Sequence, residues 1–322
     1  MPLIQQSTYQ PPRFLGISHI QTIYPSVFRT VDGIRYNRER LQTPDGDFLD
    51  LDWSCIGSKK LILGLHGLEG DSNRAYIRAL VKFFNMKGWD GLGLNFRSCS
   101  GVPNNLLRSY HSGETEDIHQ VIQHIVSLGK YDEVVIAGFS LGGNVTFKYL
   151  GEQGKNVHPI ISKAVGVSVP VDLTSCSHEL AKWKNAIYQR SFMNSLKEKL
   201  VHKKDKFANE INFDALFKAT TFYEFDNEYT APVHGFKNAE DYWKQSSSKP
   251  YLPEIKVPTL LVNAKNDTFL SDQCYPIDIA KQHKYIHLEM PEKGGHVGFM
   301  EHNPDGFYWV EKRIWNFIDQ KA

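Results

Sequence analysis

The sequence has few cysteines and no cysteine motif. Only four of its 322 residues are cysteines, and none lies in a Cys-x-x-Cys motif or at the spacing of a zinc site. This scarcity excludes a disulfide framework and a cysteine-rich metal centre. We expect free thiols in a reducing compartment, which favours a cytoplasmic protein.

The chain also lacks long apolar runs and an excess of charge. No 18 consecutive residues are apolar, and the first residues lack the charged start and apolar run of a signal peptide. Basic residues number 37 and acidic residues 36, so the net charge is +1. We therefore expect no transmembrane segment and no nucleic-acid partner, whereas the oligomeric state is left open.

Short apolar runs alternate with segments of helical periodicity along the chain. The apolar runs cover residues 61–65, 91–96, 134–139, 164–169 and 259–263, with a weaker run at 286–290. Helical segments cover residues 74–87, 115–128, 141–150 and 306–320. Continuous short apolar runs predict strands buried on both faces. Their alternation with helices predicts an α/β fold with a mostly parallel central sheet and helices on both faces.

Two segments near the N-terminus do not follow this alternation. Residues 1–38 contain Pro11, Pro12 and Pro25, and they predict an irregular N-terminal arm. Residues 48–53, Phe-Leu-Asp-Leu-Asp-Trp, alternate apolar and polar side chains. That alternation predicts a half-buried strand near a sheet edge.

The segment from residue 172 to residue 250 contains no convincing strand. Residues 179–203 predict one or two amphipathic helices, and residues 213–229 are rich in aromatic side chains. We predict a core formed by residues 1–171 and 251–322, interrupted by a helical insertion at residues 172–250. Ligands of open α/β sheets bind at the carboxyl ends of the strands, so this insertion is expected to cap the site. A peripheral helical layer away from the site is the alternative.

Residues 138–142, Gly-Phe-Ser-Leu-Gly, carry the strongest chemical signal. They follow a predicted buried strand and precede a predicted helix, which is the context of a nucleophile elbow. The turn is sharp, so small residues must flank the serine, and glycines stand at both positions. Ser140 is therefore the candidate nucleophile.

A serine nucleophile needs a histidine base and an acid that orients it. His296 lies in the glycine-rich loop at residues 294–298, after the last predicted strand and before the final helix. Asp267 follows the predicted strand at 259–263 by a few residues and is the favoured acid. Asp172, which follows the preceding strand, remains a competitor because its carboxylate could also reach the histidine.

Two backbone N–H groups are expected to stabilise the oxyanion of the tetrahedral intermediate. One belongs to Leu141, directly after the nucleophile. The other is expected from the loop at residues 66–70, where Leu68 is the predicted donor. His66, in the same loop, is interpreted as a structural histidine.

Several blocks of the sequence together form a family pattern. They are HGLEG at 66–70, NFRSCSG at 95–101, YHSGETED at 110–117, GFSLGGN at 138–144, GGHVGF at 294–299, and the stretch 225–243 running on to 266–267. With these blocks the chain resembles the YheT-like branch of the α/β-hydrolases, a group of esterases and acyl hydrolases. The resemblance covers most of the chain and implies a triad of Ser140, Asp267 and His296. Ser98 and Trp243 depart from the usual glycine and tyrosine, and neither belongs to the triad.

These patterns predict a serine hydrolase that cleaves the acyl ester bond of a small-molecule substrate. No metal and no organic cofactor is required by such a triad. An acyltransferase or a thioesterase could use the same three side chains, since only the acceptor or the leaving group differs. A non-catalytic binding protein of the same fold is the alternative from another functional class.

Overall fold

One sheet forms the centre of the protein, seen in a computed structural model that describes residues 3–302 and 304–320. Its nine strands in these residues are β1 (Leu3–Ile4), β2 (Asn37–Gln42), β3 (Phe48–Ser54), β4 (Lys60–Leu65), β5 (Asp90–Asn95), β6 (Glu133–Phe139), β7 (Ile161–Val167), β8 (Thr259–Val262) and β9 (Ile286–Glu289). Across the sheet the order is β1-β9-β8-β7-β6-β4-β5-β3-β2. The first seven strands in this order, from β1 across to β5, pair in parallel. The last two pairs, β5 with β3 and β3 with β2, are antiparallel.

Helices cover both faces of this sheet, and further helices lie between β7 and β8 along the chain. They are α1 (Ser18–Phe28), α2 (Ala75–Met86), α3 (Glu116–Ser127), α4 (Leu141–Gln153), α5 (Leu173–Leu180), α6 (Ala186–Val201), α7 (Phe213–Lys218), α8 (Phe222–Phe225), α9 (Ala231–His234), α10 (Ala239–Ser246), α11 (Ile277–Gln282) and α12 (Trp309–Asp319). One apolar cluster joins α2 and α12 to one face, and another joins α3 and α4 to the opposite face. The predicted α/β architecture with a mostly parallel sheet is therefore confirmed.

The prediction for residues 48–53 is right in position and wrong in burial. β3 lies next to the edge strand β2, but it is buried along its whole length. Its two acidic side chains, Asp50 and Asp52, accept bidentate hydrogen bonds from Arg40 and Arg38 of β2, with N···O distances of 2.8 Å. Such charge-assisted pairs offset much of the cost of burying a carboxylate. An alternating pattern thus marks ion pairing to a neighbouring strand here, and not solvent exposure.

The prediction of an irregular arm is wrong for residues 18–28, which form α1. Pro25 lies inside this helix, so its missing N–H did not prevent helix formation. The helix is held by the fully buried Gln21, whose side-chain oxygen accepts hydrogen bonds from the Tyr9 hydroxyl (2.9 Å) and the Met300 N–H (3.0 Å). Tertiary packing against a loop almost 280 residues away therefore decides this local structure.

The helical insertion at residues 172–250 contains α5 to α10 and no strand. Its apolar side chains form a cluster of their own, which includes Met193, Leu216, Phe225 and Trp243. A short π-helix at Asp226–Thr230 separates α8 from α9. Among the residues that the structure describes, no helix combines the length and apolarity needed to cross a membrane.

Candidate active site

A strained turn presents Ser140 between β6 and α4. The φ angle of Ser140 is 52°, a conformation that non-glycine residues rarely adopt. A Cβ at Gly142 would lie 2.5 Å from the Leu65 carbonyl oxygen, and a Cβ at Gly138 would overlap the Gly142 carbonyl. Glycine is therefore required at both flanking positions, as the sequence indicated. The turn places the Ser140 hydroxyl at the carboxyl edge of the parallel sheet.

A continuous series of hydrogen bonds joins Ser140, His296 and Asp267, three side chains from distant parts of the chain. The Ser140 hydroxyl lies 2.8 Å from Nε2 of His296, and Nδ1 of the same ring lies 2.8 Å from Oδ2 of Asp267. A carboxylate can only accept, so Nδ1 carries the proton and Nε2 is free to accept from the serine hydroxyl. Asp267 itself is 3% exposed, and its Oδ1 accepts the Phe269 N–H at 2.9 Å.

The histidine loop is fixed by contacts that the sequence did not indicate. The His296 N–H donates to the Thr22 hydroxyl of α1 at 2.9 Å, and the Val297 N–H donates to the Ser168 hydroxyl at 2.9 Å. The Phe269 ring stacks on the imidazole with a centroid distance of 4.2 Å. No local signal in the sequence pointed to Thr22, Ser168 or Phe269.

Asp172, the competing acid, occupies a different place. Its side chain caps the N-terminus of α5, where Oδ1 accepts the Ser175 N–H at 3.1 Å. Its other oxygen lies 3.7 Å from the Lys249 ammonium group. The structure thus brings Asp267, and not Asp172, to the imidazole of His296.

The loop that follows β4 runs directly beside the nucleophile. A Cβ at Gly67 would lie 3.1 Å from the Ser140 Cβ, so the backbone approaches as closely as glycine permits. Among the described residues, no protein acceptor is bound by the backbone N–H of Leu68 or Leu141. Both predicted oxyanion donors are therefore available to a ligand at Ser140.

The His66 ring binds the backbone of this loop and of the neighbouring loop after β5. It is fully buried, its Nδ1 lies 2.8 Å from the Gly67 carbonyl, and its Nε2 accepts the Phe96 N–H at 3.2 Å. Burial lowers the pKa of His66 to about 3, which keeps the ring neutral. These contacts agree with the structural interpretation of His66.

Two cavities meet at Ser140. The apolar cavity extends beneath the helical insertion, and its walls include Leu173, Leu180, Phe192, Leu196, Phe222 and Trp243. The second cavity contains His296 and has a mixed wall, which includes Thr22, Arg29, Arg74 and Ser195 as well as Tyr188 and Phe269. A substrate that reacts at Ser140 can thus extend in two directions.

One group of side chains could bring metal-ligand atoms together within the described residues. The ligand atoms of His111, Glu114 and His234 lie within 4.8 Å of one another. However, Arg108 donates to the Glu114 carboxylate at 2.6 Å, and the Gly113 N–H donates to Nδ1 of His111 at 3.1 Å. Part of this set therefore already has a partner in the protein, and the expectation that no metal is required stays a prediction.

Three largely buried histidines and one buried acid give the stability a pH dependence. Burial lowers the pKa of His66 and of His111 to about 3 and that of His234 to about 2. A histidine in the unfolded chain titrates near pH ~6.5, so below that pH the unfolded state binds more protons at these sites. Burial raises the pKa of Asp226 to about 7, which gives the folded state one extra proton across the same range. At these four sites together, the unfolded state therefore binds about two more protons than the folded state.

Acidification from neutral pH is accordingly expected to destabilise the fold. A net difference of about two protons corresponds to ~2.7 kcal/mol of unfolding free energy per pH unit between about pH 4 and 6. Urea unfolding at several pH values measures this slope. A free energy of unfolding that is constant, or that rises on acidification, would contradict the buried neutral histidines.

Comparison with known proteins places the chain in a family. The family profile described as alpha/beta hydrolase fold matches residues 60–303. The chain is 36% identical to the Escherichia coli (strain K12) protein named "Putative esterase YheT", over 94% of this chain and 91% of that protein. The chain belongs to the α/β-hydrolase fold family, in its YheT-like branch.

A relative of lower sequence identity and a solved structure are also similar to this chain. Human "Phospholipase ABHD3" is 30% identical over 91% of this chain and 74% of its own length. The solved structure of the Pyrococcus furiosus esterase Pf2001 superposes with a TM-score of 0.58 at 17% identity, covering 90% of this chain and 95% of that one. This last likeness concerns the α/β-hydrolase fold alone.

Proposed function

We propose that the protein is a serine hydrolase that cleaves carboxylic ester bonds through an acyl-enzyme. The chain is an ester-hydrolysing enzyme, as its family and its relatives named esterase and phospholipase show. The observation that supports the specific mechanism is the unbroken series Ser140–His296–Asp267, with two distances of 2.8 Å. Such a series is the arrangement that activates a serine hydroxyl.

In the proposed mechanism Ser140 attacks the ester carbonyl while Nε2 of His296 accepts its proton. Asp267 holds the imidazole in the required tautomer and stabilises the imidazolium that forms. The N–H groups of Leu68 and Leu141 bind the oxyanion. The histidine then protonates the leaving alcohol, and a water molecule, activated by the same histidine, releases the acid.

The two cavities suggest how the ester is oriented. We propose that residues 172–250 form a cap on a core of residues 1–171 and 251–322, and that the acyl chain enters the apolar cavity beneath it. Such cavities bind ligands mainly through apolar and aromatic walls. The alcohol part then lies in the second cavity, on the side of His296, which is the side from which the histidine delivers its proton.

Hydrolysis of p-nitrophenyl esters of graded acyl length tests this function. KM is expected to fall by about fourfold for each methylene buried, since each is worth ~0.8 kcal/mol, until the cavity is full. Phe222→Ser, in the cavity wall, is expected to raise KM for the hexanoate by about tenfold and to change that for acetate little.

Phe213→Ser is the matched control for this test. Phe213 is a buried aromatic residue of the same insertion that does not border the apolar cavity. It should alter stability without changing the dependence of KM on acyl length. The absence of hydrolysis of every ester would reject the proposed function, and equal effects of both variants at all acyl lengths would reject the orientation.

A further inference from the structure

Glu69, directly after the predicted oxyanion donor Leu68, takes part in a reciprocal contact with Tyr110. The Glu69 N–H donates to the Tyr110 hydroxyl at 2.9 Å, and that hydroxyl donates to the Glu69 Oε1 at 2.6 Å. The φ angle of Glu69 is 54°, so its backbone adopts a costly conformation that surrounding contacts must maintain. Tyr110 therefore fixes the backbone next to the Leu68 N–H.

A lysine from the helical insertion completes this contact. The Lys199 ammonium group, on α6, lies 3.0 Å from the same Glu69 Oε1 and 3.0 Å from Sγ of Cys99. Burial acts to lower the pKa of Lys199, but Cys99 and Glu69 outweigh it and raise the pKa. The side chain is therefore a charged link between the insertion and the loop beside the nucleophile.

The helix that carries Lys199 also forms a wall of the apolar cavity. Phe192, Leu196 and Leu200 of α6 border the cavity, as do Lys199 and Glu69. The second carboxylate oxygen of Glu69 is buried and has no hydrogen-bond partner among the described residues, so the contacts of Oε1 compensate this buried charge. Losing them would leave the carboxylate uncompensated, which is costly in a buried site.

We propose that Glu69, Tyr110 and Lys199 are positioning residues that couple the acyl cavity to the oxyanion loop. An acyl chain that fills the apolar cavity packs on α6 and fixes Lys199. Lys199 then holds Glu69, and the Leu68 N–H stays aligned for the oxyanion. This inference rests on the proposed function, and its consequence is that acyl length acts on kcat as well as on KM, as expected when remote binding energy serves catalysis.

Lys199→Met tests whether acyl length acts on kcat through this coupling or acts on KM alone. In the wild type we expect kcat to rise about tenfold from the acetate to the hexanoate ester, so that part of the binding energy of the chain appears in kcat and KM falls by less than the full fourfold per methylene. In Lys199→Met that rise is lost, because the link to Glu69 is gone, while KM still falls with acyl length. Lys203→Met is the control, since Lys203 is a more deeply buried lysine that joins the insertion to the core through the Leu107 and Arg108 carbonyls, with no hydrogen bond to Glu69 among the described residues.

Tyr110→Phe tests the other half of the unit with a nearly isosteric change, which also serves if Lys199→Met fails to fold. We expect kcat to fall about 10- to 100-fold for all esters with KM little changed, because the loop beside the oxyanion is misplaced. The affinity for a trifluoromethyl ketone, whose adduct carries an oxyanion, should fall by a similar factor. Tyr131→Phe, which removes a buried hydroxyl that donates to Asp90 at 2.9 Å far from the site, should affect only stability.

These measurements distinguish the coupling from the function on which it rests. If Ser140-dependent hydrolysis is present and Lys199→Met retains the rise in kcat, or Lys203→Met loses it equally, the coupling is wrong and the hydrolase remains. Wild-type kcat and ketone affinity in Tyr110→Phe would likewise overturn it. A wild-type protein without any Ser140-dependent hydrolysis rejects the proposed function and the coupling together.

Discussion

Ser140→Ala and His296→Ala are each expected to reduce ester hydrolysis by about 10⁴- to 10⁶-fold while the fold is retained. The first change removes the nucleophile, and the second removes the base 2.8 Å from it. The two side chains act as one unit, so the double variant should lose little more than either single variant. kcat/KM for the hexanoate ester and labelling by a fluorophosphonate, which should be confined to Ser140, measure these effects.

Matched controls are available elsewhere in the sheet. His287 lies in β9, and Ser162 lies in β7, where its hydroxyl binds Glu133 at 2.8 Å. Alanine at either position should leave hydrolysis near the wild-type rate. Rates near wild type in Ser140→Ala, or labelling that persists in that variant, would reject the acyl-enzyme mechanism.

The nucleophile was predictable because its requirements are local. The turn that exposes Ser140 needs glycine two positions before and two after it, and that spacing is visible in any five-residue window. His296 and Asp267 required more, namely the order of strands along the chain and the fact that parallel strands end at one edge of the sheet. The choice between Asp267 and Asp172 stayed open because both follow neighbouring strands, and sequence does not reveal which carboxylate caps a helix.

The contacts that support the site were not predictable, because they join residues far apart in sequence. Thr22 binds the His296 N–H across 274 positions, and Lys199 binds Glu69 across 130. A polar side chain on a helix is interpreted as solvated when its partner is unknown, although Lys199 on α6 is bound to Glu69. The same reason explains the buried acids of β3, whose partners lie on a neighbouring strand.

Asp267→Asn is expected to reduce kcat on the order of 10⁴-fold with little loss of stability. The geometry explains why an isosteric change should be so damaging. The Oδ1 position must still accept the Phe269 N–H, as it does at 2.9 Å in the present protein. The amide NH₂ then faces Nδ1 of His296, which is forced to accept, and the proton moves to Nε2. In that tautomer the imidazole can no longer accept the proton of Ser140.

Asp172→Asn provides the comparison. The Asn side chain is as good an N-cap as Asp, so the hydrogen bond from the Ser175 N–H is retained. We expect kcat within about twofold of the wild type and a small change in stability, because surface-type pairs such as the one with Lys249 contribute little. Steady-state kinetics with thermal unfolding of both variants decide the assignment. If Asp172→Asn loses much of its kcat while Asp267→Asn keeps near-normal kcat, the acid is Asp172. If both variants lose kcat equally and unfold at lower temperatures, the losses reflect structural damage and not a lost catalytic group.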